Sequence, residues 1–358
     1  MNDWSIAVVT SGMPRRSETF ALNELAALAD AGRLAAVFAT KAGDSGMQQP
    51  QFERIASHVE MLAAGTPAEQ AIEVAQRLAQ RPVAGVHGYF AHQPALVAEL
   101  AATRLGVRFG FSCHARDVRK VPAVELARRV RRARRVITCN HDTLAALGPN
   151  AAAAALVAHG VDATRFRATP ADDAPALRLL AVGRLVPKKG FDVLLQALAR
   201  THHAVTLRLV GSGPEAPRLE RLAGALGIAS RLEMIGAVTH HDLPDLYAWA
   251  HAVVVPSIID PSGDRDGLPN VVLEAMASGR AVVASRVSAI PSAVRHERTG
   301  LLVEPADATM LARAIDRLAA GRLVVRRLGV AGRRLVEEQY TLERCTARLL
   351  SVLGETYG

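Results

Sequence analysis

Residues 256–277 hold the side chains best suited to chemistry in this chain. An apolar run at 252–255 reads as a buried strand, and it ends in a long polar loop rich in Gly, Asp and Pro. That loop runs directly into a helix whose first turn falls near Pro269 and Asn270. Backbone N–H groups at a helix start have no intrahelical acceptor, which suits a phosphate or a sugar oxygen. Asp266 precedes the turn, and Glu274 follows Asp266 by eight residues, inside the helix. A carboxylate can accept two hydrogen bonds from vicinal hydroxyls, so an acid on each side of a helix start fits a nucleotide sugar. The plain alternative is N-cap chemistry with a solvent-facing glutamate. Against it, Glu274 is flanked by Val271, Val272, Leu273, Ala275 and Met276, and a carboxylate in such a setting needs a partner.

A second cluster spans residues 180–191. A strand ends at Gly183, where the missing Cβ lets a ligand approach the backbone. Arg184 and Lys189 flank the turn into the next helix, and two cations at the carboxyl end of a strand can neutralise a diphosphate. Basic residues in a surface turn are the alternative. Residues 210–216 echo a dinucleotide-binding fingerprint, but a lone Gly-x-Gly followed by Pro214 is weak, and Glu233 lies inside the next strand rather than at its end. No metal cluster is evident: His202-His203 and His240-His241 are adjacent pairs, whose side chains point apart on a helix or strand.

The elements that would position these residues alternate. Apolar β-rich runs at 6–9, 35–39, 83–86, 108–111 and 136–138 are separated by helical patterns at 18–31, 68–79, 94–105 and 122–134. The pattern breaks at a Pro- and Asp-rich stretch, then restarts at 177 and runs through further strand–helix pairs to about 284. Such alternation implies mostly parallel sheets covered on both faces. The expected organisation is an α/β fold with two Rossmann-like domains, 1–168 and 177–340, joined by a linker at 169–176 and facing across a cleft.

Composition bounds the rest. The 358 residues suffice for two domains, and half of them are hydrophobic. No apolar stretch approaches the roughly 20 residues needed to cross a bilayer, and the start lacks a signal-peptide layout, so a cytoplasmic location is expected. Cys113, Cys139 and Cys345 are widely spaced and read as reduced thiols. The net charge of +9 suits phosphates, nucleic acid or an anionic membrane face. Only 4% of residues are aromatic, which leaves few stacking platforms for nucleic acid. Residues 125–135 carry six arginines; Leu126, Val130, Ala133 and Ile137 share one helical face, with Arg128, Arg131, Arg132 and Arg135 opposite. This reads as a docked helix with a solvated basic face, or as a contact with an anionic membrane or acceptor.

The run from Asp266 to Ala277, followed by Ser278-Gly279-Arg280-Ala281-Val282-Val283, resembles the retaining GT-B glycosyltransferases of family 4, the glycosyl transferases group 1. Asp266 stands where many members have Glu, and Ala281 where proline is usual. The resemblance implies that Glu274 holds the ribose hydroxyls and Asp266 touches the transferred sugar. The backbone of Gly183, Gly267, Leu268, Pro269 and Asn270 lines the donor, and Arg184 and Lys189 stabilise the departing nucleotide diphosphate; Lys188 is the less favoured lysine, because the family places lysine directly before the glycine. Residues 11–20 look like a Pro-Arg-x-Ser-Glu-Thr-Phe segment of the subgroup that builds exopolysaccharide and colanic-acid-type surface glycans. There Gly12, Arg16 and Glu18 become candidates for donor phosphate or acceptor contacts, with Ser17 a candidate N-cap. His114, in a His-Ala-Arg-Asp stretch similar to the subgroup's, would approach the transferred sugar, with a structural histidine as the alternative. His87 is a further, weaker candidate contact, and His159 matches a family stretch with a turn role. The helix expected at 341–358 would cross back to the first domain.

The resemblance implies a glycosyltransferase with His114, Asp266, Arg184 and Lys189 at its centre, expected to be metal-independent because the sequence shows no metal cluster. It would use no cofactor beyond a UDP- or GDP-sugar as co-substrate, retain anomeric configuration, and act on a sugar, lipid-linked glycan or small molecule, with peripheral contact at the inner membrane face as an option. A glycan phosphorylase, a sugar epimerase or a non-catalytic relative shares the architecture and is the alternative.

Overall fold

The computed structural model describes residues 4–15, 18–44, 50–114, 117–170, 172 and 174–358. The chain divides into two compact units, Met1–Gly160 with Leu342–Gly358, and Val161–Thr341.

The first unit is built on strands β1 (Ile6–Thr10), β2 (Leu34–Ala39), β3 (Val59–Met61), β4 (Gly85–Tyr89), β5 (Arg108–Cys113), β6 (Arg135–Thr138) and β7 (Ala154–Leu156), in the spatial order β3-β2-β1-β4-β5-β6-β7. Every pairing is parallel. Alternate side chains feed two cores, one on each face of the sheet: Ala7, Val9, Phe38 and Phe111 enter one, Ile6, Val8, Val37 and Ile137 the other. Strand β1 is therefore buried throughout and apolar up to Thr10, as expected of a strand covered on both faces. The terminal helix Leu342–Tyr357 packs on this unit, adding Leu349, Val352, Leu353 and Tyr357 to the second core. Tyr357 lies over β4 and β5, where a Cβ on Gly85 would come within 2.3 Å of its ring.

The second unit contains β8 (Leu177–Val182), β9 (Val205–Val210), β10 (Leu232–Gly236), β11 (Ala252–Val255), β12 (Ala281–Ser285) and β13 (Leu301–Val303), ordered β10-β9-β8-β11-β12-β13 and again all parallel. Successive connections run outward from β8 on one side and from β11 on the other. The carboxyl ends of β8 and β11 thus flank a topological switch point, where open α/β sheets bind ligands.

Several expectations shift. The strand anticipated at 83–86 begins at Gly85, and three-residue strands β3, β7 and β13 are too short to show a period. Residues 148–153 form a 3-10 turn before β7. The stretch anticipated as a linker, 169–176, lies inside the second unit, and the division falls between Gly160 and Val161. Its anchor is Arg280, 1% exposed, which donates to the carbonyls of Ser278, Ala250 and Thr169 and to the Thr169 hydroxyl. The arginine-rich helix runs Ala123–Arg132, and its polar side is not simply solvated. Arg128 forks onto Glu99 through bonds of 2.6 and 2.8 Å, Arg132 reaches the same carboxylate at 2.7 Å, and Arg129 is buried. Among the described residues, no helix is long and apolar enough to cross a membrane.

Candidate functional site

The loops leaving β8 and β11 are keyed together by Gly190. Its φ of +63° lies in the left-handed region, and a Cβ there would fall 2.0 Å from the Pro256 carbonyl oxygen, so only glycine fits. The Ile258 N–H donates to the Lys188 carbonyl at 2.8 Å, closing the same junction. This places Lys189 against the second loop, where its Nζ donates to Asp266 Oδ2 at 2.7 Å. Ser257 Oγ donates to the same oxygen at 2.9 Å, and Lys188 Nζ stands 3.4 Å from Asp266 Oδ1. Asp266 is 9% exposed. Burial alone would raise its pKa, but Lys189, Lys188 and the Ser257 bond outweigh it and hold the carboxyl below the usual aspartate value.

Gly183 borders the same lysine: a Cβ there would approach Lys189 Cε to 3.3 Å. Arg184 is exposed, and its side chain has no hydrogen-bond or ion-pair partner among the described residues. Gly267, Leu268, Pro269 and Asn270 are half-buried, and the helix Asn270–Ala277 starts after an extended Pro269 with no side-chain cap. The Gly211–Gly213 turn packs on backbone, and Cβ atoms there would meet the Gly183 and Leu185 carbonyls.

Glu274 is 6% exposed and has the partner its apolar setting demands. Tyr247 donates to Glu274 Oε2 at 2.7 Å, and His240 Nε2 lies 3.6 Å from Oε1. Burial and the adjacent carboxylate hold the Tyr247 phenol well above its ordinary pKa, so it stays a donor. Phe166 packs edge-on against both rings, 5.5 Å from Tyr247 and 5.6 Å from His240. Sequence reasoning demanded a partner but did not find Tyr247. Of the four central residues of this unit, then, Lys189 and Asp266 touch, Arg184 stands on the turn leading to Lys189, and Glu274 sits on the helix that leaves the Asp266 loop.

His114 belongs to the first unit, just past β5, and is buried among Phe20, Tyr89, Phe90 and His159 with ring centroids 4.9–5.2 Å away. Burial, then the neighbouring His159 charge, holds its pKa well below the ordinary value, which keeps the ring neutral. His159 is more than a turn residue: its Nδ1 pairs with Glu24 at 2.6 Å, and Tyr89 donates to the other Glu24 oxygen. Gly12 is buried against the backbone of Lys41 and Ala42, where a Cβ would meet a carbonyl oxygen at 2.8 Å. Glu18 occupies the N-cap of the helix Thr19–Asp30 without capping it through its side chain. Arg16 and Ser17 lie outside the described residues. His87 needs correction: it is a buried residue of β4, not a loop contact. Its ring bridges Tyr357 Oη at 3.0 Å and Ser112 Oγ at 2.9 Å, and burial lowers its pKa to about 3. Among the described residues, no group of three or more His, Cys, Asp or Glu side chains could hold a metal ion.

The His159–Glu24 pair sets a pH dependence. Burial opposes the charged imidazole, but Glu24, helped by Cys139, outweighs it and raises the His159 pKa to about 10. A raised histidine contributes its stability in full below the unfolded value of about 6.5 and loses it as pH climbs through the folded value. Glu24→Gln is therefore expected to lower stability by about 2 kcal/mol at pH 6, the scale of a hydrogen bond to a charged group. The gap to the parent should narrow toward pH 10. Melting curves of both proteins across that range check this, and a gap independent of pH would contradict the pairing.

Residues 176–321 match the family model described as glycosyl transferases group 1. This segment is a glycosyl transferases group 1 domain. The chain is 34% identical over 221 residues to the GDP-mannose-dependent alpha-(1-6)-phosphatidylinositol monomannoside mannosyltransferase of Mycobacterium tuberculosis, covering 58% of this chain and 57% of that one. It is 34% identical over 186 residues to the lipopolysaccharide core biosynthesis glycosyltransferase LpsE of Rhizobium meliloti, covering 52% and 51%. The chain thus spans a little over half the length of these curated relatives. Among solved structures, Alr3699/HepE of Anabaena in complex with UDP superposes with a TM-score of 0.84 at 19% identity, over 98% of this chain and 100% of that one. That likeness gives the fold, two parallel-sheet α/β domains of the GT-B kind. The Lys189–Asp266 pair, Arg184 and Glu274 all fall within the group 1 domain.

Proposed function

We propose that this protein is a glycosyltransferase that moves a sugar from a nucleotide diphosphate to a glycan, lipid-linked glycan or small-molecule acceptor, with retention of anomeric configuration. The observation that supports this most is the pairing of buried Asp266 with half-buried Lys189, with an exposed Arg184 on the same turn, at the carboxyl ends of β8 and β11 in the group 1 domain. Breaking the anomeric C–O bond builds negative charge on the departing diphosphate. Lys189, Arg184 and the uncapped start of the helix Asn270–Ala277 would stabilise that charge, and this preorganised positive field is the main source of rate. Glu274 would accept hydrogen bonds from the ribose hydroxyls, while Asp266 would meet the transferred sugar. His114, held neutral, is proposed as a further contact of the transferred sugar. With no strong base beside a nucleophilic side chain in this set, we favour attack on the face the leaving group departs from, the phosphate taking the acceptor's proton.

Two protein cations can do the work a metal ion would do at the diphosphate, so transfer is proposed to need no metal. The relatives point to surface-glycan assembly: one is named for lipopolysaccharide core synthesis, the other for mannosylating a phosphatidylinositol mannoside. One is GDP-mannose-dependent, and HepE was crystallised with UDP, so uridine and guanosine diphosphate sugars are the donors to try. A panel of both classes should contain one that raises the melting temperature by the amount its affinity dictates, about 2.7 kcal/mol of stabilisation at a hundredfold excess over Kd. The same donor should support transfer or slow hydrolysis in the presence of EDTA. A panel without any stabilising nucleotide sugar would sink the assignment, and activity abolished by EDTA and restored by Mn²⁺ would sink its metal-free form.

A further inference from the structure

Two lysines stand where a diphosphate would need one. Lys189 Nζ donates to Asp266 Oδ2 at 2.7 Å. The neighbouring Lys188 is more deeply buried, at 8% exposure, and its Nζ lies 3.4 Å from Asp266 Oδ1 and 3.4 Å from each oxygen of Asp264. Two ammonium groups and two carboxylates sum to zero, so these four side chains are balanced before any ligand arrives. Lys189 cannot give its full charge to Asp266 and to a phosphate at once. Were it the only counter-ion of Asp266, turning toward a ligand would strand a carboxylate that is 9% exposed, and an unpaired buried charge is strongly unfavourable. Lys188 removes that obstacle. Its main chain is fixed by the Ile258 N–H, and its ammonium sits between two acids rather than at the surface where Arg184 stands.

We infer that Lys188 is a positioning residue: a resident counter-ion that keeps Asp266 neutralised and so releases Lys189 to the diphosphate of the donor. The inference rests on the proposed function, which makes a diphosphate the second partner of Lys189. It assigns Lys188 no contact with the ligand, and it explains a second buried lysine that the sequence pattern alone left without a task.

Binding of UDP, GDP and the corresponding monophosphates, measured by calorimetry, tests it. The proteins are the parent, Lys188→Met, Lys188→Arg and the double variant Lys188→Met with Asp266→Asn. Lys188→Met should bind the diphosphate about tenfold more weakly, with the monophosphate changed less than about threefold. Lys188→Arg should restore diphosphate binding. The double variant should restore it as well, because without the Asp266 charge Lys189 is free again. A general loosening of the loop would not give that recovery, and equal losses for both nucleotides without recovery would overturn the inference. So would unchanged diphosphate binding in Lys188→Met, which leaves the proposed function standing. A parent that binds neither UDP nor GDP overturns both.

Discussion

Lys189→Met is expected to lower kcat by about 10²–10³, the cost of removing one preorganised donor from a developing oxyanion. The loss should fall on kcat more than on KM, because the charge Lys189 meets is largest in the transition state. Methionine keeps the length of the stem, and Asp266 retains Lys188 and Ser257, so the fold should survive. Lys189→Arg is not expected to rescue the rate. The stem passes Gly183 so closely that a single methyl group on that glycine would press on Lys189 Cε at 3.3 Å, and a planar guanidinium has no room to align there. Steady-state kinetics with the donor found in the stability panel decide the matter. Activity within about threefold of the parent would remove Lys189 from the chemistry.

Glu274 offers a way to separate binding from stability. Glu274→Ala leaves the Tyr247 hydroxyl buried without its acceptor, and stability should fall by about 1–3 kcal/mol. Glu274→Gln keeps an acceptor oxygen for Tyr247 and should recover most of that stability. A neutral amide holds ribose hydroxyls less strongly than a carboxylate does, so donor binding should remain at least about tenfold weaker in both variants. Denaturant melts and donor titrations on the two proteins measure the two effects independently. Parent-like donor affinity in Glu274→Gln would mean that the carboxylate serves Tyr247 alone.

The parts of this molecule written locally were legible in its sequence. Strand–helix alternation, the loop that ends at Asn270, and the Gly183–Lys189 turn are each short stretches whose residues meet their own neighbours. The partner of Glu274 was not, because Tyr247 lies on a separate helix and nothing in its surroundings sets it apart from an ordinary core tyrosine. Glu24 and His159 meet across 135 residues, a pairing that no periodicity encodes. His87 was misplaced for a related reason: Tyr357, which lies against Gly85 and whose hydroxyl meets the imidazole, comes 270 positions later. A Pro- and Asp-rich composition at 169–176 suggests freedom, whereas Arg280 ties down Thr169 and Arg322 holds the carbonyls of Ala174 and Ala176. Lys188 was passed over by pattern, and its significance lies in burial, which spacing cannot reveal.

The first unit takes its last helix from residues that follow the whole of the second. During synthesis its seven strands leave the ribosome early, yet the side chains of Leu349, Val352, Leu353 and Tyr357 that seal one of its faces arrive only after the whole of the second unit has been made. The second unit, continuous in the chain, can complete itself first. The nascent first unit must therefore wait with an open apolar flank, and that interval is when the growing polypeptide is most exposed to aggregation or to capture by chaperones.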